Sequence, residues 1–163
     1  MRQDLCENVN ATTKTIVFEA TGEVASVPNW KSFFRDTDFL AKHFLVRNLT
    51  EGDSIARHYT ICNAMRPDVY SAYINALKLE SDETYKSFDS TILVPSDSNQ
   101  MTFCIKNYEQ PKGLSMKVHN GTARFEVKGP MGHGLQPKSA GHHIAFAAGT
   151  GVLCFVDLVA YIA

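Results

Sequence analysis

The sequence predicts a mainly β protein. An antiparallel barrel of short strands occupies residues 1–137, and the first βα unit of an α/β lobe opens over 138–163. Three observations predict it. Short alternating apolar segments recur between turn signals as far as "ARFEVKG" (123–129). The composition then shifts: "GHHIAFAAGTGVLCFVDLVAYIA" (141–163) runs from small apolar residues through a glycine turn into a segment of helical character. Finally, 163 residues with 44% hydrophobic and 20% charged side chains are enough for one real core.

"TKTIVFEATG" (13–22) alternates and ends at glycine, so it reads as a strand and a turn. "SVPNWKSFFRDTDF" (26–39) is a polar-aromatic loop. "AKHFLVRNL" (41–49) and "SIARHYTICN" (54–63) are strands joined by the turn "TEGD", which makes a hairpin. After Pro67, Val69, Tyr73, Ala76 and Leu77 fall at helical spacing, so a short helix follows and then a polar loop. "STILVPSDSNQMTFCIKNY" (90–108) holds two strands around another turn. Gly113 to Ser115 opens a short helical turn, and Asn120-Gly121 turns the chain into the strand "ARFEVKG". In 141–163 a short buried strand passes through Gly149-Thr150-Gly151 into a helix, which is how a nucleotide-binding α/β unit begins. Such a lobe needs further βα units, and these 163 residues contain none.

Composition excludes several classes. A net charge of −1 leaves no basic footprint for nucleic acid. No apolar run is long enough to span a bilayer, so any membrane association is expected through a partner. The N-terminus "MRQDLCENVN" is polar and lacks the apolar core of a signal peptide. Cys6, Cys62, Cys104 and Cys154 form no CxxC pair and read as free thiols in a reducing compartment, cytoplasmic or mitochondrial, not secreted. The sequons at Asn10, Asn48 and Asn120 are then fortuitous. His133 and His142-His143 form no ligand set with cysteines or carboxylates. Met101 and Cys104 read as core, and Asp82-Glu83 as a solvated loop.

"RHYT" (57–60) places a cation, an aromatic ring and a hydroxyl within four residues of one strand. A strand of mixed faces explains this alone, because Tyr and Thr are ordinary strand residues. Three further motifs follow in order: "IKNY" (105–108), "KGLS" (112–115) with "KGPMGHG" (128–134), and "AAGTGV" (147–152). Singly each is weak. As an ordered set they resemble the ferredoxin–NADP reductase superfamily, nearest to cytochrome b5 reductase and the FAD domain of nitrate reductase. That family carries R-x-Y-[ST], I-K-x-Y, G-x-[ML]-S, G-P-x-G and G-T-G-[IV] motifs. The likeness covers residues 13–163. It departs at Ala41, where the family's G-Q-H strand has glycine, and near Cys154, where a proline is common. The 64–91 insertion is longer than usual, and the C-terminal lobe is truncated.

The resemblance implies a six-stranded antiparallel Greek-key FAD-binding barrel of ferredoxin reductase type. It implies FAD as cofactor and NAD(P)H as co-substrate if the second lobe is present. Electrons would pass to a haem protein or similar carrier. Arg57 would grip the pyrophosphate with its planar fork. Tyr59, on the same strand face, would lie against the isoalloxazine ring. Thr60 is the residue implied to act catalytically, its hydroxyl near flavin N5, tuning the cofactor that does the chemistry. Cys104, Ile105 and Lys106 would meet the flavin edge and Tyr108 the adenosine half. Gly113, Leu114 and Ser115 would offer backbone N–H groups and a hydroxyl to the pyrophosphate, aided by a helix start. Thr150 would face the ring where nicotinamide docks. The chain alone is expected to bind FAD yet be reduced slowly by NAD(P)H. The alternative is a non-catalytic structural or assembly subunit, with or without FAD, or one whose truncated lobe a larger complex completes.

Overall fold

The computed structural model describes residues 2–19, 39–50, 55–66, 68–69, 71, 100–109, 113–121, 124–137 and 141–162. Within them the protein is mainly β, with antiparallel strands in two three-stranded sheets. The strands are β1 (Arg2–Asn8), β2 (Thr13–Glu19), β3 (His43–Asn48), β4 (Ala56–Thr60), β5 (Gln100–Lys106) and β6 (Phe125–Met131). Two helices accompany them, α1 (Leu114–Asn120) and α2 (Leu153–Ile162). One sheet has the order β1-β2-β5 and the other β4-β3-β6. They meet at a single antiparallel bridge, Ile61 with Phe103. No closed barrel forms among the described residues.

β3 shows how the sequence sets its faces. Phe44, Val46 and Asn48 are buried, while His43, Leu45 and Arg47 are less so. That is the period-2 alternation of a sheet with one face on the core. β5 is different: Met101 to Ile105 are all buried, so both of its faces are covered. Phe103 is the hub. Its ring lies edge-on to Phe18 at 5.7 Å, Phe44 at 6.0 Å and Tyr59 at 6.4 Å, in the geometry aromatic pairs prefer. Phe125 completes the cluster 5.4 Å from Phe18.

β1 corrects the sequence reading, which gave 2–8 no strand. It pairs with β2 from Arg2↔Glu19 to Asn8↔Lys14, turned at Asn10, whose Oδ1 accepts from Thr12 N at 2.9 Å. The turn "TEGD", the 26–38 loop, the strand expected at 90–99 and most of the short helix expected after Pro67, with the polar loop that follows it, lie outside the described residues. Asp68, Val69 and Ser71 are helical, and Val69 is fully buried, as the spacing required.

β6 crosses β3 closely. A Cβ on Gly129 would come 2.7 Å from the Phe44 ring, and one on Gly132 would come 2.7 Å from the His43 ring. The two glycines of "GPMG" are therefore packing residues. Ala41 sits at φ 57°, a left-handed conformation that glycine adopts without strain.

The segment 141–148 also departs from expectation. It is exposed along its length and pairs with no described strand. Ile144 is 81% exposed and Phe146 91%. A buried parallel strand needs neighbours on both edges and cover on both faces, and no described strand supplies them. The glycine turn and the helix do form: Gly149–Val152 is a 3₁₀ turn and runs directly into α2.

Candidate functional site

Beyond the Ile61–Phe103 bridge the two sheets diverge. The bridge is not continued toward Arg57 on β4 or Lys106 on β5. A cavity of about 440 Å³ opens there, within the usual range of small-molecule sites. Arg57 to Thr60 of β4 form one wall and Cys104 to Lys106 of β5 another, with Tyr108 beyond. Gly113, Leu114 and Ser115 line it from the start of α1, and Thr150 with Leu153 from the 149–162 segment. Every residue to which the resemblance gave a site role lines this one cavity, although they span positions 57 to 150 of the chain, whereas no residue of "KGPMGHG" lines it. His58 and Leu153 line it as well and were not anticipated.

β4 is the edge strand of its sheet, which explains why consecutive residues all reach the cavity. Arg57 is paired with Val46 and Tyr59 with Phe44, so both lie on the core-facing side. His58 and Thr60 lie on the other side, with His43 opposite Thr60. Anything lying along the edge meets both sets. The His43 and His58 rings pack edge to face at 5.0 Å. Burial, then the charge of His58 and then that of Lys42, lowers the His43 pKa.

Arg57 is exposed, and its Nη1 donates to its neighbour Ala56 O at 2.8 Å. Among the described residues it forms no ion pair. Tyr59 is half-buried against Phe103, and burial pushes its phenol up to about 12. It stays protonated through the physiological range, so it offers a ring and an O–H but no base. Burial likewise raises the Cys104 thiol. Lys106 Nζ sits 5.7 Å from the Tyr108 ring centroid, a cation–π contact at the exposed rim.

α1 is pinned onto β5 and β2. His119 Nε2 donates to Ile105 O at 2.7 Å, and Lys14 Nζ donates to His119 O at 3.3 Å. The Ile105 carbonyl is thus already engaged. Gly121 at φ 68° ends the helix, and its N–H bonds to Val118 O. At the other end Ser115 Oγ accepts from Tyr108 N at 3.4 Å, which ties the "KGLS" turn to the end of "IKNY". α1 is seven residues long, so the backbone N–H groups of its first residues, rather than an extended helix dipole, are what it presents.

The far wall hangs on Asp157. Its carboxylate is buried and accepts from Asn63 N at 3.0 Å and Ala64 N at 2.8 Å. It caps the 3₁₀ turn Asn63–Met65 that follows β4, although it lies more than 90 residues away in sequence. Burial raises its pKa to about 6, opposed by the two N–H bonds. The signal was present in the sequence: Asp157 is the lone charge in "GVLCFVDLVAYIA", and a carboxylate inside an apolar helix needs a partner.

The donor set of the cavity is cationic, aromatic and hydroxylic, and no carboxylate lines it among the described residues. No cluster of three metal-ligating side chains occurs among the described residues. No helix among them is long and apolar enough to cross a membrane. No family model, curated protein or solved structure matches the chain.

Proposed function

We propose that this chain is the FAD-binding part of an NAD(P)H-dependent flavoprotein oxidoreductase of cytochrome b5 reductase type, passing electrons from a pyridine nucleotide to a haem protein or similar carrier. One observation carries the reading: motif residues spread from Arg57 to Thr150 converge on one cavity that has cationic and hydroxylic walls and, among the described residues, no lining carboxylate. A dinucleotide needs such a place, with cations and N–H groups for its pyrophosphate and an aromatic face for its ring. We further read the two sheets as the halves of a six-stranded Greek-key barrel, supported by the bridge between Ile61 and Phe103.

The fit of FAD is argued from the residues. Arg57 has no competing ion pair among the described residues and supplies a planar fork for phosphate. Tyr59 supplies an uncharged ring backed by Phe103. Gly113, Leu114 and Ser115 line the same space, and their backbone N–H groups and the Ser115 hydroxyl would serve the pyrophosphate. Bound there, the flavin would supply hydride acceptance and single-electron release. The protein's share is to bind, to orient, and to place the Thr60 hydroxyl. NAD(P)H would approach from the Thr150 side.

The test is direct. Purified protein titrated with FAD should take up one equivalent, with the flavin band shifted and the fluorescence quenched. Folded protein that takes up no flavin excludes this reading and favours the structural-subunit alternative. The exposed Ile144 and Phe146 give that alternative its one specific support, since apolar side chains so bare are ordinarily covered by a partner.

A further inference from the structure

We infer that two thiols, Cys154 and Cys62, fix the placement of the Thr60 hydroxyl at the cavity wall; if the cavity holds flavin as proposed above, they are positioning residues for flavin N5. Thr60 is held at both of its polar ends. Its Oγ1 lies 3.8 Å from Cys154 Sγ, and its carbonyl accepts from Cys62 Sγ at 3.5 Å. The Cys62 thiol also reaches Leu153 O at 3.6 Å, so one sulfur touches both the end of β4 and the first turn of α2. Asp157, one turn beyond Cys154, fastens the same helix to Asn63 and Ala64, the residues that follow Cys62. Four contacts between α2 and the 60–64 segment therefore converge around one hydroxyl.

The physical consequence follows from threonine itself. Branching at Cβ leaves χ1 few rotamers, so contacts at the two polar ends of the residue are enough to select one. The hydroxyl hydrogen is free to rotate and settles on whatever partner is offered. A polarizable sulfur on one side narrows that choice and leaves the opposite side of the oxygen to the cavity. Burial, then the neighbouring Asp157 carboxylate, pushes the Cys62 thiol well up, so it remains a neutral S–H donor. A thiolate has no hydrogen to share between the two carbonyls and would add charge beside a carboxylate.

The experiment uses the full chain loaded with FAD and titrated with sulfite. Sulfite adds its sulfur lone pair to flavin N5; the new S–N bond places the electron pair on the ring, and the flavin band bleaches. Affinity for sulfite therefore reports the electrostatics at N5 without turnover. Cys154→Ala frees the Thr60 hydroxyl, and sulfite affinity should fall about three- to tenfold, the share of one ordinary hydrogen bond, while FAD affinity holds. Cys154→Ser keeps a polar hydrogen there and should stay close to wild type. Cys62→Ala should weaken sulfite binding in the same direction. If Cys154→Ala does not fold, Cys154→Val provides the same deletion with the volume filled. Sulfite affinity equal to wild type in a flavin-loaded Cys154→Ala or Cys154→Val protein overturns the thiol assignment and leaves the flavin reading standing. A wild-type chain that binds no FAD overturns both before sulfite is added.

Discussion

β5 and the 149–162 segment both line the cavity, and they are held in different ways. β5 is laddered to β2 over seven residue pairs and buried on both faces. The 149–162 segment makes no ladder among the described residues, and the chain leading into it is exposed. It is attached through the Asp157 carboxylate, the Cys62 thiol and the contact of Cys154 with Thr60. A ladder shares its strength among many equivalent bonds, so no single side-chain hydrogen bond governs it. A helix docked by a few polar contacts and the packing of Ala160 concentrates its attachment at fewer points. The first wall therefore yields to loss of packing, and the second is the more sensitive to loss of a single polar group.

The largest effect belongs to the first wall. Phe103→Ala removes the ring that touches Phe18, Phe44 and Tyr59 and should cost about 3–5 kcal/mol of global stability in a urea titration. Loss below about 1 kcal/mol would mean that the hub collapses around the cavity left behind. Asp157→Ala should come next, because it orphans two buried N–H groups at roughly 1–3 kcal/mol each. The decisive readout is local. Amide exchange should speed up throughout α2 while the β2–β5 amides keep their protection. Equal acceleration in both walls would erase the distinction drawn between them.

Arg57→Ala tests the edge strand at a smaller scale. Loss of a charge-assisted phosphate contact should weaken FAD about 10- to 150-fold, or roughly 1.5–3 kcal/mol, with little change in melting temperature. An Arg57→Ala protein that stays fully flavin-loaded on dilution would remove Arg57 from the site.

The attachment of α2 also depends on pH. Asp157 has its folded pKa raised from 3.8 to about 6. The folded state then binds the proton more tightly than the unfolded chain. The stability this contributes is fully present below 3.8 and is lost as pH rises through about 6. The urea midpoint should fall between pH 5 and pH 7, and Asp157→Asn should flatten that change. A slope that survives in Asp157→Asn would place the titrating group elsewhere.

How much of this could be read in the sequence follows the same division. The strand-borne motifs were legible because period-2 alternation and fixed spacing carry through to geometry: Arg57 and Tyr59 share a face, and Ser115 meets Tyr108. β1 was not legible. It is an edge strand rich in polar residues, and pairing on one side demands little apolar content from such a sequence. The strand expected over 141–148 failed for the opposite reason. Apolar content marked it as buried, but burial depends on neighbours that the local sequence does not encode. His58 was passed over as the spacer in R-x-Y, because only an edge strand makes both faces of a motif count. The joining of Asp157 to Asn63 and of Cys62 to Leu153 spans more than 90 residues and has no local pattern.

The smallest predicted effect concerns Ala41, just ahead of β3, the strand that ladders β4. The chain turns there, with Lys42 N donating to Phe39 O at 3.0 Å, and Leu40 O accepts from Leu135 N at 2.8 Å. Both bonds require the backbone at residue 41 to stay where it is, at φ 57°. For a residue with a Cβ that region costs about 1–2 kcal/mol. Glycine removes the strain but gives the unfolded chain more freedom, which returns about 0.4–1 kcal/mol. The balance favours Ala41→Gly by up to about 1.6 kcal/mol, seen as a rise of a few degrees in melting temperature. Because β3 and β4 are already fixed by their ladder, this gain should leave FAD affinity and α2 amide exchange unchanged. An Ala41→Gly protein that is less stable than wild type would show that the left-handed residue carries no strain for glycine to relieve. One that gains stability and also slows exchange in α2 would show that the two walls are coupled through β3, against the separation argued from Asp157.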